Sequence, residues 1–446
     1  MFKKYLTYPL LLALFLFLIF SILYGSVLRH HYMGGERVKT LQNIAVFFAE
    51  IPMNVKTMIQ SGNINLDALP KLEKHKDKKR IEQFISNQRD ALLVLPRYDH
   101  SLSRSVVDII DLINFKTIHT YKHDIAEMNN QVVNIDEFPR IKTDHSPIRF
   151  QYFHPLILED GSLVSDSDMS IEFKIDFCSN LLWINDEELF HHSKMLDHEG
   201  NIWVPGVMNP KSKYLKDDYY YLKNYADDSI IKINTDGDIL FNKSITELLI
   251  ENNIIDKNIF HSGDDPIHSN DIEPALSTSN YWKKGDIFIS ARHLSAIIHY
   301  RPSTNTVINY IKGPFSQQHD VDIISDKAIS IFNNNNFFFE NDHSEVVVYN
   351  FETKEFSVLF KKQLQKENFK TESQGLSHIF NDGALLVEEQ NHGRLLLFNN
   401  KGEKEWEFVN KDKNGDIGYI SWSRIVEDKE FISQFRKLVK TKKCIN

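Results

Sequence analysis

A chain of 446 residues is long enough for one large repeat domain plus an extra segment. Its 42% hydrophobic and 25% charged residues mark a globular protein, and 31 Phe against 17 Gly exclude a collagen-like or glycine-rich chain. The formal net charge of -9 lacks the basic excess of a phosphate-binding surface, so no nucleic-acid partner is expected.

No charged residue occurs between Tyr5 and Leu28, and the run LLLALFLFLIF is apolar on every side. A helix rising ~1.5 Å per residue would cross a hydrocarbon core of about 30 Å over such a length. A cleaved export signal has a shorter apolar region and a small-x-small site, for which Ile22-Leu23-Tyr24-Gly25-Ser26 is a poor match. An uncleaved transmembrane anchor over residues 1–30 is therefore expected. Lys3 and Lys4 face Arg29, Arg37 and Lys39 across the span, so flanking charge barely selects an orientation.

Residues 31–88 read as a helical or linker segment. Thr40–Ile59 spaces apolar positions as an amphipathic helix does, and the charged run Lys71–Arg80 suits a solvated helix face or linker.

Beyond this a unit recurs: a tight turn runs into an apolar strand, then an alternating strand, a turn and a third strand. The apolar strands begin at Arg89–Pro96, Glu159–Asp166, His198–Pro205, Lys283–Ser290, Ser325–Phe332 and Asn381–Glu388. The alternating partners include Ser170–Asp176, Ala296–Pro302 and Glu345–Phe351. Period-two alternation between Gly, Asp and Asn turns is the hairpin signal, and its radial repetition predicts an all-β, six-bladed β-propeller over residues 89–430. Residues 431–446 read as a C-terminal tail. Cys178 and Cys444 are the two cysteines, and no disulfide framework or cysteine-based metal site is expected from them.

Histidines stand at a shared offset, just ahead of the turn, in four repeats: His154, then His191 and His192, then His268, then His319. Strands that line a propeller's channel would carry them to one end of the axis. A lone histidine is usually structural; a set at one offset predicts a functional cluster. Imidazoles also suit a metal, and the spacing of this set lacks a short His-x-x-x-His chelate; a ring of distant imidazoles is compatible with either use, and the site is read without metal or cofactor. Arg292, Arg394 and Arg424 complete the set, since a guanidinium fork binds sulfate or phosphate oxygens; salt bridges between blades would equally employ Arg394 and Arg424.

The ordered elements Ile267-His268-Ser269-Asn270-Asp271-Ile272, Gly285-Asp286-Ile287-Phe288-Ile289-Ser290-Ala291-Arg292, Gln318-His319-Asp320 and Ile331-Phe332-Asn333-Asn334 resemble the arylsulfotransferase family. The likeness runs from about Phe153 to Arg424, and the segment from Trp183 to Trp203 resembles a divergent branch of that family. It implies a periplasmic propeller that moves a sulfuryl group from a phenolic sulfate ester to another phenol, without PAPS, through a histidine intermediate. His268, His319 and Arg292 match catalytic motif positions, and Asn270 matches the His-x-Asn asparagine. His191, His192, Arg394 and Arg424 are the further candidates for substrate binding.

Phe332-Asn333-Asn334 stands where the family has Phe-Asp-Asn, and the late nucleophilic histidine lacks a secure counterpart, with His378 and His392 as candidates. The expected substrates are a small aryl sulfate or sulfated glycan and a phenolic or glycan acceptor. The expected location is the inner membrane, single-pass, with the propeller on the periplasmic side. The competing readings are a non-catalytic envelope propeller that binds an anionic polymer or scaffolds a complex, and a metal- or quinone-dependent oxidoreductase. Oligomeric state is not legible.

Overall fold

The computed structural model describes residues 7–32, 40–41, 44–49, 51, 68–86, 89–215, 225–255, 265–336 and 343–444. The chain divides into two compact units, the first containing residues 1–66 with two short later segments. In this unit a helix spans Thr7–Tyr32, with a window over Tyr8–Arg29 long and apolar enough to cross a membrane. Its large side chains, such as Leu11, Phe15 and Phe17, are exposed, as a lipid-facing helix requires. The Tyr24 hydroxyl donates to the Ala45 carbonyl at 2.8 Å. Of the amphipathic helix expected over Thr40–Ile59, residues 40–41, 44–49 and 51 are helical, and the rest lies outside the described residues.

The second unit is all-β, with antiparallel sheets in a propeller-like ring. Alternating strands such as Ala296–Arg301 bury Ile297, Ile298 and Tyr300, so neighbouring sheets pack through apolar layers. The expected six separate blades are not what forms. The described residues make five sheets, three of them four-stranded, one five-stranded and one eight-stranded. The second and third repeats join in the eight-stranded sheet because the long strand Leu181–Phe190 reaches Ile202–Val207, pairing Phe190 with Gly206.

The channel-lining strands also differ from expectation. In the four-stranded sheet of residues 269–311 the first strand is Ser269–Pro274, one strand before the apolar Ile287–Ala291. It carries Asn270, Asp271 and Glu273, so hydrophobic alternation does not reveal it. Arg292 accordingly sits at the end of the second strand, in the turn to the third.

Buried carboxyls tie three pairs of neighbouring sheets. Asp271 accepts from Val321 N at 2.8 Å, Asp320 from Ser377 N at 2.9 Å, and Glu388 from Trp422 N at 2.8 Å and Ser423 N at 2.7 Å. Burial raises Asp271 to about 6 and Asp322 to about 7, and burial raises Asp166 to about 7 against the pull of Lys194. These three groups stabilise the fold in their protonated form. Their contribution is complete below about pH 4, the unfolded value, and is lost as pH rises through 6 to 7. Asp265 and Glu389 act oppositely: burial would raise both, but His268 beside Asp265 and His75 with Arg394 beside Glu389 hold each at about 2. Their contribution is lost only as pH falls below about 4. Buried histidines such as His145 and His191, each lowered to about 4 by desolvation, also act oppositely below about pH 6.5. The urea midpoint of the detergent-solubilised chain is therefore expected to fall above that range, between pH 7 and pH 9; a midpoint that rises over that window would contradict these burials.

Three further expectations are corrected. The charged run Lys71–Arg80 is not a solvated helix face. Lys74 and His75 pair with the buried Glu389, Lys78 with Glu407 and Lys71 with Asp416. Ile81–Gln83 then adds a strand beside Lys404–Val409. The C-terminal stretch is no loose tail: Lys429–Thr441 is a helix capped by Asp428, with Ile432 and Phe435 packed against Phe177 in the core. This docking brings Cys444 to Cys178, and the two form a disulfide with Cα atoms 5.3 Å apart across a separation of 266 residues. No spacing rule could have shown that pairing, because it depends on where the last helix packs.

Candidate active site

The entry to each channel-lining strand carries a residue in the left-handed region: His154 (φ 35), His192 (φ 63), His268 (φ 50), Gln317 (φ 50), Gln374 (φ 60) and Trp422 (φ 61). None is glycine, and such a conformation costs roughly 1 kcal/mol or more for each side chain. The surrounding hydrogen bonds hold it. Asp228 accepts from His268 N at 3.0 Å and Ser269 N at 3.2 Å, while Lys194 N donates to His154 Nδ1 at 3.3 Å.

These turns bring the histidines together. The His192 ring centre lies 5.5 Å from that of His268, 6.0 Å from His319 and 5.7 Å from Trp422. Trp422 in turn lies 5.5 Å from His154 and 6.2 Å from His319. His191 joins through an Nδ1–Nδ1 hydrogen bond of 2.9 Å to His192, one ring donating and the other accepting. The structure thus brings His154, His191, His192, His268 and His319 into one cluster around Trp422.

Four of the imidazoles, His154, His191, His192 and His319, are held neutral. Burial drives His154, His192 and His319 well below the usual histidine range and His191 to about 4. Neighbouring positive groups act in the same direction: Arg424 and Lys194 on His154, and Arg292 on His319. Neutral rings keep the lone pairs that a nucleophile requires.

The two motif histidines have different partners. His268 Nδ1 is bound to the Asp265 carboxylate, and no hydrogen bond engages its Nε2 among the described residues. A carboxylate on one ring nitrogen fixes the tautomer that leaves a lone pair on the other. His319 is occupied at both nitrogens: Nδ1 lies 2.6 Å from Asn334 Oδ1, and Nε2 accepts from Gln374 N at 2.9 Å. Asn334 itself donates to Thr371 O at 3.0 Å and Gln374 O at 2.7 Å. Asn334, where this chain keeps the family's residue, thus carries the loop over His319, while the departing residue Asn333 accepts from Ser316 N and Asn335 N at 2.9 Å each.

Arg292 lies among these groups. Its Nη1 is 2.5 Å from His293 Nε2 and its Nη2 donates to Gln317 Oε1 at 3.2 Å. Two buried donors, Arg292 Nε and Trp422 Nε1, have no hydrogen-bond partner. An orphaned buried donor costs about 1–3 kcal/mol, which an oxyanion would relieve. Beside the cluster, an open cavity of about 170 Å³ is lined by Arg140, His145, Arg149, Phe153, Asp168 and Gln374. Asp168 lies 3.8 Å from His192 Nδ1, which connects this cavity to the imidazoles.

The other predicted residues have different surroundings. Asn270 is fully buried and donates to Gln318 O at 3.1 Å, which positions the His319 turn. Arg394 is bound to Glu389 at 2.6 Å and Glu407 at 3.3 Å. Arg424 donates to Lys194 O at 2.6 Å and Pro155 O at 3.2 Å, and burial lowers it to about 10 despite the nearby Asp271, Glu273, Asp322 and Asp320. His378 lies 3.2 Å from Glu427, and His392 lies 3.6 Å from Glu372.

Sequence reasoning missed Asp265, Lys194 and Trp422 as members of the cluster. Asp265 stands three residues before His268 and could have been suspected as its carboxylate partner. Lys194 and Trp422 gave no such signal, because only packing places them there.

Asp265, His268 and His293 each offer one metal-ligand atom, and those atoms lie within 4.8 Å of one another.

Comparison with solved structures gives a protein of unknown function from Bacteroides caccae at 12% identity and TM-score 0.47, covering 76% of this chain and 100% of that one. Virginiamycin B lyase from Staphylococcus aureus is similar at 13% identity and TM-score 0.34, covering 59% and 71%. A chain of the nidogen/laminin complex is similar at 8% identity and TM-score 0.43, covering 76% and 99%. No curated protein matches the chain. The arylsulfotransferase (ASST) family profile matches residues 154–411, which hold the imidazole cluster, Asp265 and Arg292. The chain belongs to the arylsulfotransferase family.

Proposed function

We propose that this protein transfers a sulfuryl group from an aryl sulfate ester to a phenolic or glycan hydroxyl, with His268 as the nucleophile. One observation carries the choice of residue: Asp265 holds His268 Nδ1 while Nε2 is left without a protein partner, whereas both nitrogens of His319 are bound. In the first half-reaction the Nε2 lone pair attacks sulfur, and the ester S–O bond breaks as the phenolate leaves with its electron pair. In the second, the acceptor oxygen attacks sulfur, the N–S bond breaks and its electrons return to Nε2. The acceptor's proton passes to solvent or to the released phenolate.

Charge develops on the sulfuryl oxygens and the leaving oxygen, and preorganised donors are worth most there. Arg292 Nε and Trp422 Nε1 are the donors placed for this, with His192 completing the pocket wall. Asn270 and His319 are positioning residues that hold the turns against each other. Arg424 holds Lys194 and Pro155 in place, and Arg394 braces the sheet that carries Glu389. No metal or cofactor takes part in either half-reaction.

The apolar N-terminal helix and the Cys178–Cys444 disulfide support a single-pass inner-membrane protein with its ring on the oxidising, periplasmic side. The test is incubation of the full chain in detergent with p-nitrophenyl sulfate and a panel of phenols and glycans. Acceptor-dependent release of nitrophenolate is expected. A folded protein that binds a sulfated polymer yet releases no nitrophenolate with any acceptor would overturn the transferase reading in favour of an anion-binding propeller.

A further inference from the structure

We propose that Asp265, His268 and His293 form a binding site for a divalent transition metal, and that the bound ion withdraws His268 from catalysis. The three side chains present one ligand atom each within 4.8 Å of one another. Two imidazoles and a carboxylate suit Zn²⁺, Ni²⁺ or Cu²⁺, whereas Mg²⁺ and Ca²⁺ prefer oxygen ligands. Three protein ligands leave a fourth tetrahedral position for water.

Local geometry supports a site rather than a chance cluster. His268 Nδ1 already meets the Asp265 carboxylate, and the Asp228 carboxyl, which accepts from His268 N at 3.0 Å, adds a second acidic group on the same residue. His268 is held in the left-handed region by Asp228 through two backbone bonds, so its ring does not depend on the metal for its position. His293 is exposed, which gives an ion a path in from solvent. The opposing group is Arg292, 2.5 Å from His293 Nε2, and this guanidinium must turn away as the cation enters.

The consequence for His268 follows from its tautomers. With Nδ1 on a metal, the neutral ring carries its proton on Nε2, and the lone pair needed to attack sulfur is gone. Arg292, displaced from His293, no longer stands where the sulfuryl oxygens need it. Metal and anionic substrate therefore exclude each other. Binding is independent of the sulfuryl-transfer reading, while inhibition rests on it.

The experiment uses the tag-free full chain in detergent, equilibrated with Zn²⁺ in the presence of excess Mg²⁺, cleared of free ion and analysed for zinc. One zinc per chain is expected in the wild type, with at least a tenfold weaker retention in His293→Ala and in Asp265→Asn, each checked for folding by circular dichroism. Equal zinc in the wild type and in folded variants would overturn the site. In the nitrophenyl sulfate assay, zinc should inhibit over the concentration range in which it binds, and a chelator should restore the rate. Stoichiometric zinc without inhibition would overturn the switch and keep the site. Absence of activity on every substrate would remove the switch together with the transferase reading and leave the zinc analysis to decide the site.

Discussion

Replacing His268 with alanine is expected to lower sulfuryl transfer by about 10³-fold or more while the protein remains folded. A nucleophile that splits one displacement into two cannot be substituted by its neighbours, and losses of this size follow its removal. His319→Ala should cost far less, about tenfold, because His319 holds Gln374 and Asn334 rather than presenting a free nitrogen. Mass spectrometry after donor treatment makes the comparison direct: a mass gain of one sulfuryl group should map to the peptide containing His268. A sulfated His319, with turnover surviving in His268→Ala, would reverse the assignment and require the Gln374 peptide to lift away during the cycle.

The second large effect is on stability. Lys194 is fully buried, its ammonium 2.7 Å from Asp166 and 4.0 Å from Glu172, and it donates to the carbonyls of His192 at 3.2 Å and Phe153 at 3.4 Å. Lys194→Met would leave two buried carboxyls without a countercharge, a change that typically costs about 3–5 kcal/mol. Burial already raises Asp166 to about 7 with Lys194 opposing it, so removing the ammonium raises it further. The penalty should be smaller at pH 5, where protonated carboxyls need no partner, and larger at pH 8, where ionisation is demanded. Urea titrations of wild type and variant at both pH values measure this. A loss below about 1 kcal/mol at pH 8 would mean that water or another cation reaches the pair.

Both predictions concern features that were unequally visible in the chain itself. The apolar and alternating strands were legible because each buries one or both faces, so patterns such as Ile329, Ile331, Val346 and Val347 survive as period-two hydrophobicity. The channel-lining strands were not. Ser269–Pro274 faces polar neighbours and is tied by Asp228, Asp271 and Ser193, so its sequence looks like a loop. The separation of the second and third repeats also failed, because strand pairing between Phe190 and Gly206 depends on where two hairpins come to rest.

For the site, the shared offset of His154, His192, His268 and His319 was enough to predict that they meet, since an equivalent place in each repeat is carried to one axis. The offset could not say which ring is free. Asp265 on His268 and Gln374 on His319 make that distinction, and both partners come from segments whose place depends on the fold. Arg394 shows the reverse limit: an arginine at the head of a strand reads as an anion ligand until Glu389 and Glu407 are found against it.

The amino-acid sequence alone carried the repeat, the apolar helix and the shared offset of the histidines, because each is written in local periodicity or in a repeated position, and its ordered motifs carried the resemblance to the family. Tertiary structure decided the number of sheets, the Cys178–Cys444 bond, the buried Lys194 and the division of labour among the imidazoles. Those depend on pairings between residues distant along the chain, and a hydrogen bond or a desolvated charge takes its value from the atoms that surround it in the folded state.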